Sequence, residues 1–168
     1  MITPAYVQTM AAYNAEMNRR LYAAAALLSD AERREDRRAF WASLHGTLNH
    51  LLWGDRIWMS RFAGWPKPQQ PIKQSAQLYD DFAELTAARV QADADICGWA
   101  DTLDQAWLDQ DMVWFSNASR REMRQPRALL VAHMFNHQTH HRGQAHALLT
   151  YFGHDPGVTD LPWVVPQS

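Results

Sequence analysis

Six of the eight histidines in this chain fall between His133 and His154, four of them in the run His133-Met-Phe-Asn-His137-Gln-Thr-His140-His141-Arg-Gly-Gln144. His137 and His141 are four residues apart. On an α-helix that spacing puts one above the other on a single face, roughly 5–6 Å between Cβ atoms. Two neutral imidazoles held this way can converge on one divalent ion, at Zn–N distances of about 2.0–2.1 Å. Spacing alone leaves the pairing open. His133 and His137 are also four apart, and His140 lies only about 60° round the helix from His137. His133, His140 and His146 are expected to form a polar or half-buried helix face.

Two ligands hold a metal weakly, so a third should come from another segment. Only His45 and His50 lie outside the cluster and the tail. His50 sits in Leu48-Asn-His-Leu-Leu-Trp53, flanked by apolar residues. A lone histidine on an apolar face is ordinarily a core residue, but a histidine pair elsewhere makes His50 the expected third ligand. His45 is about 140° away round the same helix, so both cannot face one ion. Asn136 and Gln144 are placed to orient imidazoles by hydrogen bonds to their far ring nitrogens, and Arg142 to pair with a carboxylate across the fold. Gly143 within a helix costs ~1 kcal/mol relative to Ala, a cost that fits close approach of another helix or the metal pocket. In zinc proteases a Glu general base follows the first helix histidine; here that residue is Gln138. An amide cannot take a proton, which disfavours peptidase chemistry. Three histidines without a fourth side chain would leave an open coordination position, the catalytic pattern.

Four long helices are expected to position these groups. The first opens at Thr3-Pro4, a capping residue followed by proline, and carries Tyr6, Met10, Tyr13, Met17 and Leu21 at helical spacing through Leu28. Ser29-Asp-Ala-Glu32 is a capping box that starts a new turn. A second helix is expected from about Arg37 to Phe62, ended by the prolines between Gly64 and Pro71. A third begins near Ser75, with Leu78, Phe82, Leu85, Ala92, Ile96, Trp99 and Leu103 in a narrow stripe. Asp104 to Asp109 fits a short helical turn, and 112–123 a small hairpin or extended excursion turning at Ser116-Asn-Ala-Ser119. Pro126 opens the last helix, which ends at Gly153; the tail from His154 to Ser168 is expected to lie irregularly over the rest. The economical fold is an all-α four-helix bundle, one domain over residues 1–168.

Composition narrows the function classes. Net charge is −2 and the basic residues are scattered, which argues against a nucleic-acid partner. No apolar run approaches the ~18 residues a membrane span needs, and Met1-Ile-Thr-Pro-Ala-Tyr lacks the pattern of a secretion signal. Cys97 is the single cysteine, so no intrachain disulfide forms and a cytoplasmic setting is expected. Its place beside the apolar stripe of the third helix says core. Asp55 reads as an exposed or salt-bridged helix residue, with orientation or base work as the alternative, and Gln138 and His140 border the ligands where substrate would lie. Eight tryptophans are many for 168 residues and favour a dimer contact.

Asn49-His50-Leu-Leu-Trp-Gly-Asp55 together with Asn136-His137-Gln-Thr-His140-His141-Arg-Gly-Gln144 resembles the DinB/YfiT-like metalloenzymes over nearly the whole chain. The resemblance implies a four-helix bundle, commonly a homodimer, with nickel or zinc on three histidines. Carried onto this sequence, those ligands are His50, His137 and His141. Members of the family include transferases and isomerases that use small thiols such as bacillithiol or mycothiol, so a thiol or an electrophile is the implied substrate. The expected function is therefore a metal-dependent enzyme, an S-transferase or a related hydrolase or isomerase. The alternative is a non-catalytic, metal-binding stress-response homodimer.

Overall fold

The computed structural model describes residues 1–116 and 119–165. Four long helices dominate: α1 (Pro4–Ala26), α3 (Leu44–Phe62), α4 (Phe82–Asp101) and α6 (Arg127–Tyr151). Short helices α2 (Asp30–Arg34), α5 (Gln105–Leu108) and α7 (Leu161–Val164) fill the connections, with a 3₁₀ segment at Ile72–Gln77. Strands β1 (Asp111–Ser116) and β2 (Arg121–Pro126) form an antiparallel hairpin in which Trp114 faces Met123. The all-α bundle with a small hairpin before the last helix is as expected. The expected turn at 116–119 includes residues 117 and 118, which lie outside the described residues, as does the end of the tail, 166–168.

Helix starts follow their caps. The Thr3 side chain accepts from the Tyr6 amide, and Ser29 and Glu32 form the reciprocal capping box that starts α2. Two boundaries differ from expectation. The second long helix begins at Leu44, capped by Ser43, and not near Arg37. Arg38 and Ala42 have φ of 56° and 63°, left-handed values that no α-helix accommodates. The bend they make sits tightly on Gly46, where a Cβ would collide with the Trp41 carbonyl oxygen. The third long helix begins at Phe82, capped by Asp81, and not near Ser75. The tail is not wholly irregular either: α7 seats Val164 in a small cluster with Tyr13 and Met17 on α1.

The interior has three tiers. One apolar cluster holds Leu21, Leu44, Leu48, Leu52, Leu85 and Leu149; the other holds Val7, Met59, Phe62, Ile96, Met134 and Phe135. Between them on α1, α3 and α6 come the buried polar residues Asn14 and Asn18, Asp55, and Gln138 with Arg142, and buried Arg89 of α4 reaches Asp55. The order in which each helix meets the two clusters gives its direction. Helices α1 and α6 run one way, α3 and α4 the other. Because α3 and α4 are parallel, residues 63–81 must return the chain along the bundle, and their 3₁₀ segment packs on α3. Trp53 Nε1 donates to the Gln70 carbonyl at 2.9 Å, and the Tyr79 amide donates to Asn49 Oδ1 at 2.7 Å, pinning this return strap. No described helix is long and apolar enough to cross a membrane.

Candidate metal centre

Adjacent antiparallel helices α3 and α6 bring His50 beside His137 and His141. One potential ligand atom from each lies within 4.8 Å of the others. The Nε2 atoms of His50 and His137 are 3.1 Å apart. Two nitrogens each about 2.0–2.1 Å from a tetrahedral ion stand roughly 3.3 Å apart, so the spacing suits a shared ion with little adjustment. The centroid of the His141 ring is 4.5 Å from that of His50 and 4.4 Å from that of His137.

Neighbouring groups fix the rings. Gln144 Oε1 lies 2.8 Å from His141 Nδ1; a carbonyl only accepts, so Nδ1 carries the proton and Nε2 keeps its lone pair. The other half of the same amide reaches His140 Nε2 at 3.2 Å. Ser75 Oγ, fully buried, is 2.7 Å from His50 Nδ1, leaving His50 Nε2 for the cluster. The Trp41 indole stacks on the His50 ring at 4.0 Å. Gly54 makes the room for His137: a Cβ there would stand 2.5 Å from His137 Cε1. His137 Nδ1 is buried without a partner among the described residues.

Burial also sets the protonation state. It is the main reason His50 is pushed down to about 3, helped by the neighbouring charges of His141 and His137. His137 falls to about 4, again chiefly by burial, and His141 is lowered for the same reason. All three are neutral at pH 7, the form that ligates metals.

Residues singled out from the sequence divide clearly. His50, His137 and His141 meet. His45 does not: buried on another side of α3, its Nε2 contacts the Tyr79 carbonyl at 3.0 Å and helps hold the return strap. His133 packs edge-on against Trp58 and, like His140, borders a cavity in front of the cluster; His146 is half-buried elsewhere on α6. Asn136 is exposed and orients no imidazole among the described residues. Arg142 pairs with no carboxylate among the described residues; it donates to Thr139 Oγ1 at 3.2 Å and lies over the Tyr13 ring. Gly143 has open space where a Cβ would be, so the close approach expected there occurs at Gly54 instead. Gln138 does not border the cavity. It points inward, donates to Asp55 Oδ1 at 2.8 Å and accepts from Asn14 Nδ2. Asp55 also pairs with Arg89 at 2.5 Å and is fully buried, which makes it a salt-bridged residue and removes it from base chemistry at the cavity. Cys97 is half-buried against the second apolar cluster, and burial raises its thiol pKa.

Sequence reasoning missed Ser75, Gly54 and Trp41. Gly54 alone left a signal, a glycine one turn after His50 within a strongly helical run. Ser75 and Trp41 reach the site from segments that the apolar rhythm assigns to long helices but that fold outside them.

The three histidines form one wall of an open cavity of about 1070 Å³. The described residues of the cluster include no fourth side chain that would close the set. A four-helix bundle with a partly buried trio of neutral imidazoles facing a cavity defines a class of helical protein with a group able to hold a metal ion. The chain belongs to the DinB family, whose family model matches residues 1–167. No curated protein matches it.

Proposed function

We propose that this DinB-family protein binds a divalent ion, nickel or zinc, through His50, His137 and His141, and uses it as the centre of a metal-dependent enzyme. The observation that carries the reading is the convergence of three neutral histidine rings from two helices on the wall of an open cavity. When bound, such an ion supplies Lewis-acid chemistry, lowering the pKa of a water or thiol that enters the open position. The chain's own residues do the rest. Ser75 orients the His50 ring, Gln144 holds His141 in the ligating tautomer, Trp41 shields one face of His50 from water, and Gly54 admits the His137 ring.

The substrate we infer is a small thiol, or an electrophile that a thiol or water attacks, and the family supports a homodimer. The open cavity favours catalysis over a purely structural ion, which would be sealed by a fourth ligand. Elemental analysis of tag-free protein is expected to find one nickel or zinc per chain, lost in His50→Ala, His137→Ala and His141→Ala. A screen of small thiols against electrophiles is expected to show turnover that a chelator abolishes. Protein that carries no metal and takes up none overturns the site; metal-loaded protein with no metal-dependent reaction overturns the enzyme.

A further inference from the structure

The cavity in front of the histidines has a charge pattern that the rest of the chain does not. Among the described residues its formally charged lining groups are Arg61, Lys67 and Lys73, with no Asp or Glu, in a chain with 18 acidic and 16 basic residues. Arg61 is the half-buried member. Its guanidinium lies 4.4 Å from the Trp58 ring centroid and 5.6 Å from that of Trp114, and it makes no ion pair among the described residues. Desolvating an uncompensated cation is costly, and a guanidinium held on aromatic faces keeps its flat fork of donors free for an incoming oxyanion. Arg61 follows Gly54, the residue packed on His137, by seven positions on α3. That separation is about 10 Å along the helix. Ile57 and Trp58 line the cavity between these two positions, and Phe115 of the hairpin also borders it.

We propose that the cavity binds an amphipathic organic oxyanion: its carboxylate or phosphate sits on Arg61, assisted by Lys67 and Lys73, and its flat apolar body lies along Ile57 and Trp58 towards the histidines. Assigning the far end of the ligand to a reacting position rests on the metal reading above; the anion subsite itself does not.

The test is calorimetric titration of the full-length chain, both chelator-treated and zinc-loaded, with 4-phenylbutyrate, 3-phenylpropyl phosphate and the neutral 4-phenylbutyramide. Without metal no carboxylate can ligate an ion, so any preference for the anions reports the cationic end. The anions are expected to bind about tenfold or more tightly than the amide, with the gap shrinking in about 0.5 M NaCl. Arg61→Met should erase the gap while leaving the amide affinity and the thermal midpoint within error. The exposed pair Lys67→Gln/Lys73→Gln should narrow it. Equal affinities for the anions and the amide overturn the proposal. So does a preference that appears only with zinc and survives Arg61→Met, which leaves the metal site standing. An Arg61-dependent preference in a chain that takes up no metal supports the subsite and removes the metal reading instead.

Discussion

Gly54 is the residue at which local propensity and the site pull in opposite directions. In an exposed helix interior, replacing Gly by Ala stabilises by roughly 0.5–1 kcal/mol. At position 54 the added methyl would meet the His137 ring at 2.5 Å. Gly54→Ala is therefore expected to stay folded while its metal affinity drops at least about tenfold, read by competition with a chromogenic chelator; unchanged affinity would show that His137 is not held where the site needs it. Ser75 makes the complementary case. It is fully buried, and its Oγ lies 2.7 Å from Nδ1 of His50, one of the three proposed ligands. Ser75→Ala should weaken metal binding by about 10–100-fold, the usual cost of losing a group that orients a ligand, with helix content retained.

At the scale of elements, the bundle is joined by a buried polar tier as well as by its apolar clusters. Arg89 of α4 binds Asp55 of α3 at 2.5 Å and Asp93 one turn along its own helix at 2.7 Å. Asn18 of α1 donates to Asp93 at 2.9 Å, and Gln138 of α6 to Asp55. Burial tends to lower the Arg89 pKa, yet the two carboxylates hold it above its ordinary value, so the cation is always present. Removing it strands two buried carboxyl groups. Arg89→Met is expected to cost ~3–5 kcal/mol in chemical denaturation. A loss below ~1 kcal/mol would mean that water reaches this tier and that the helices do not depend on it for their register.

For the molecule as a whole, metal and protons should act on stability in linked ways. Zinc at about 100 times its Kd should add ~2.7 kcal/mol, seen as a higher thermal midpoint that His137→Ala abolishes. In metal-free protein, His50 and His137 titrate near 3 and 4 when folded, against about 6.5 when unfolded. Between those values the unfolded chain binds more protons, so stability rises with pH and is lost as pH falls below about 6.5. Asp93, raised to about 6 mainly by burial, acts in the opposite sense over the same range, but the lowered histidines outnumber it. The midpoint should fall between pH 7 and 5 and change little from this source above 7.5. His50→Gln combined with His137→Gln should flatten the slope; an unaltered slope would place its origin elsewhere.

Much of this architecture was legible from local signals. The Thr3 and Ser29 caps, the helical spacing from Tyr6 to Leu21, the proline run after Phe62 and the Gly153 stop act within a few residues of chain, so they survive without knowledge of the fold. The same locality placed His137 and His141 on one face. The bend at 37–43 and the start of α4 were not legible, because Phe40 and Leu78 continue an apolar rhythm that left-handed dihedrals and the Asp81 cap interrupt. What only the tertiary structure decided concerns pairs far apart in sequence. Parallel α3 and α4 force a return strap, and that strap carries Ser75 to His50 and Lys67 to the cavity rim. Antiparallel packing of α3 on α6 sets His137 against Gly54, and the same packing draws Asp55 into the polar tier and away from the site. Spacing along one helix fixes which side chains share a face; which faces meet is settled only when the apolar clusters at the two ends of the bundle close together.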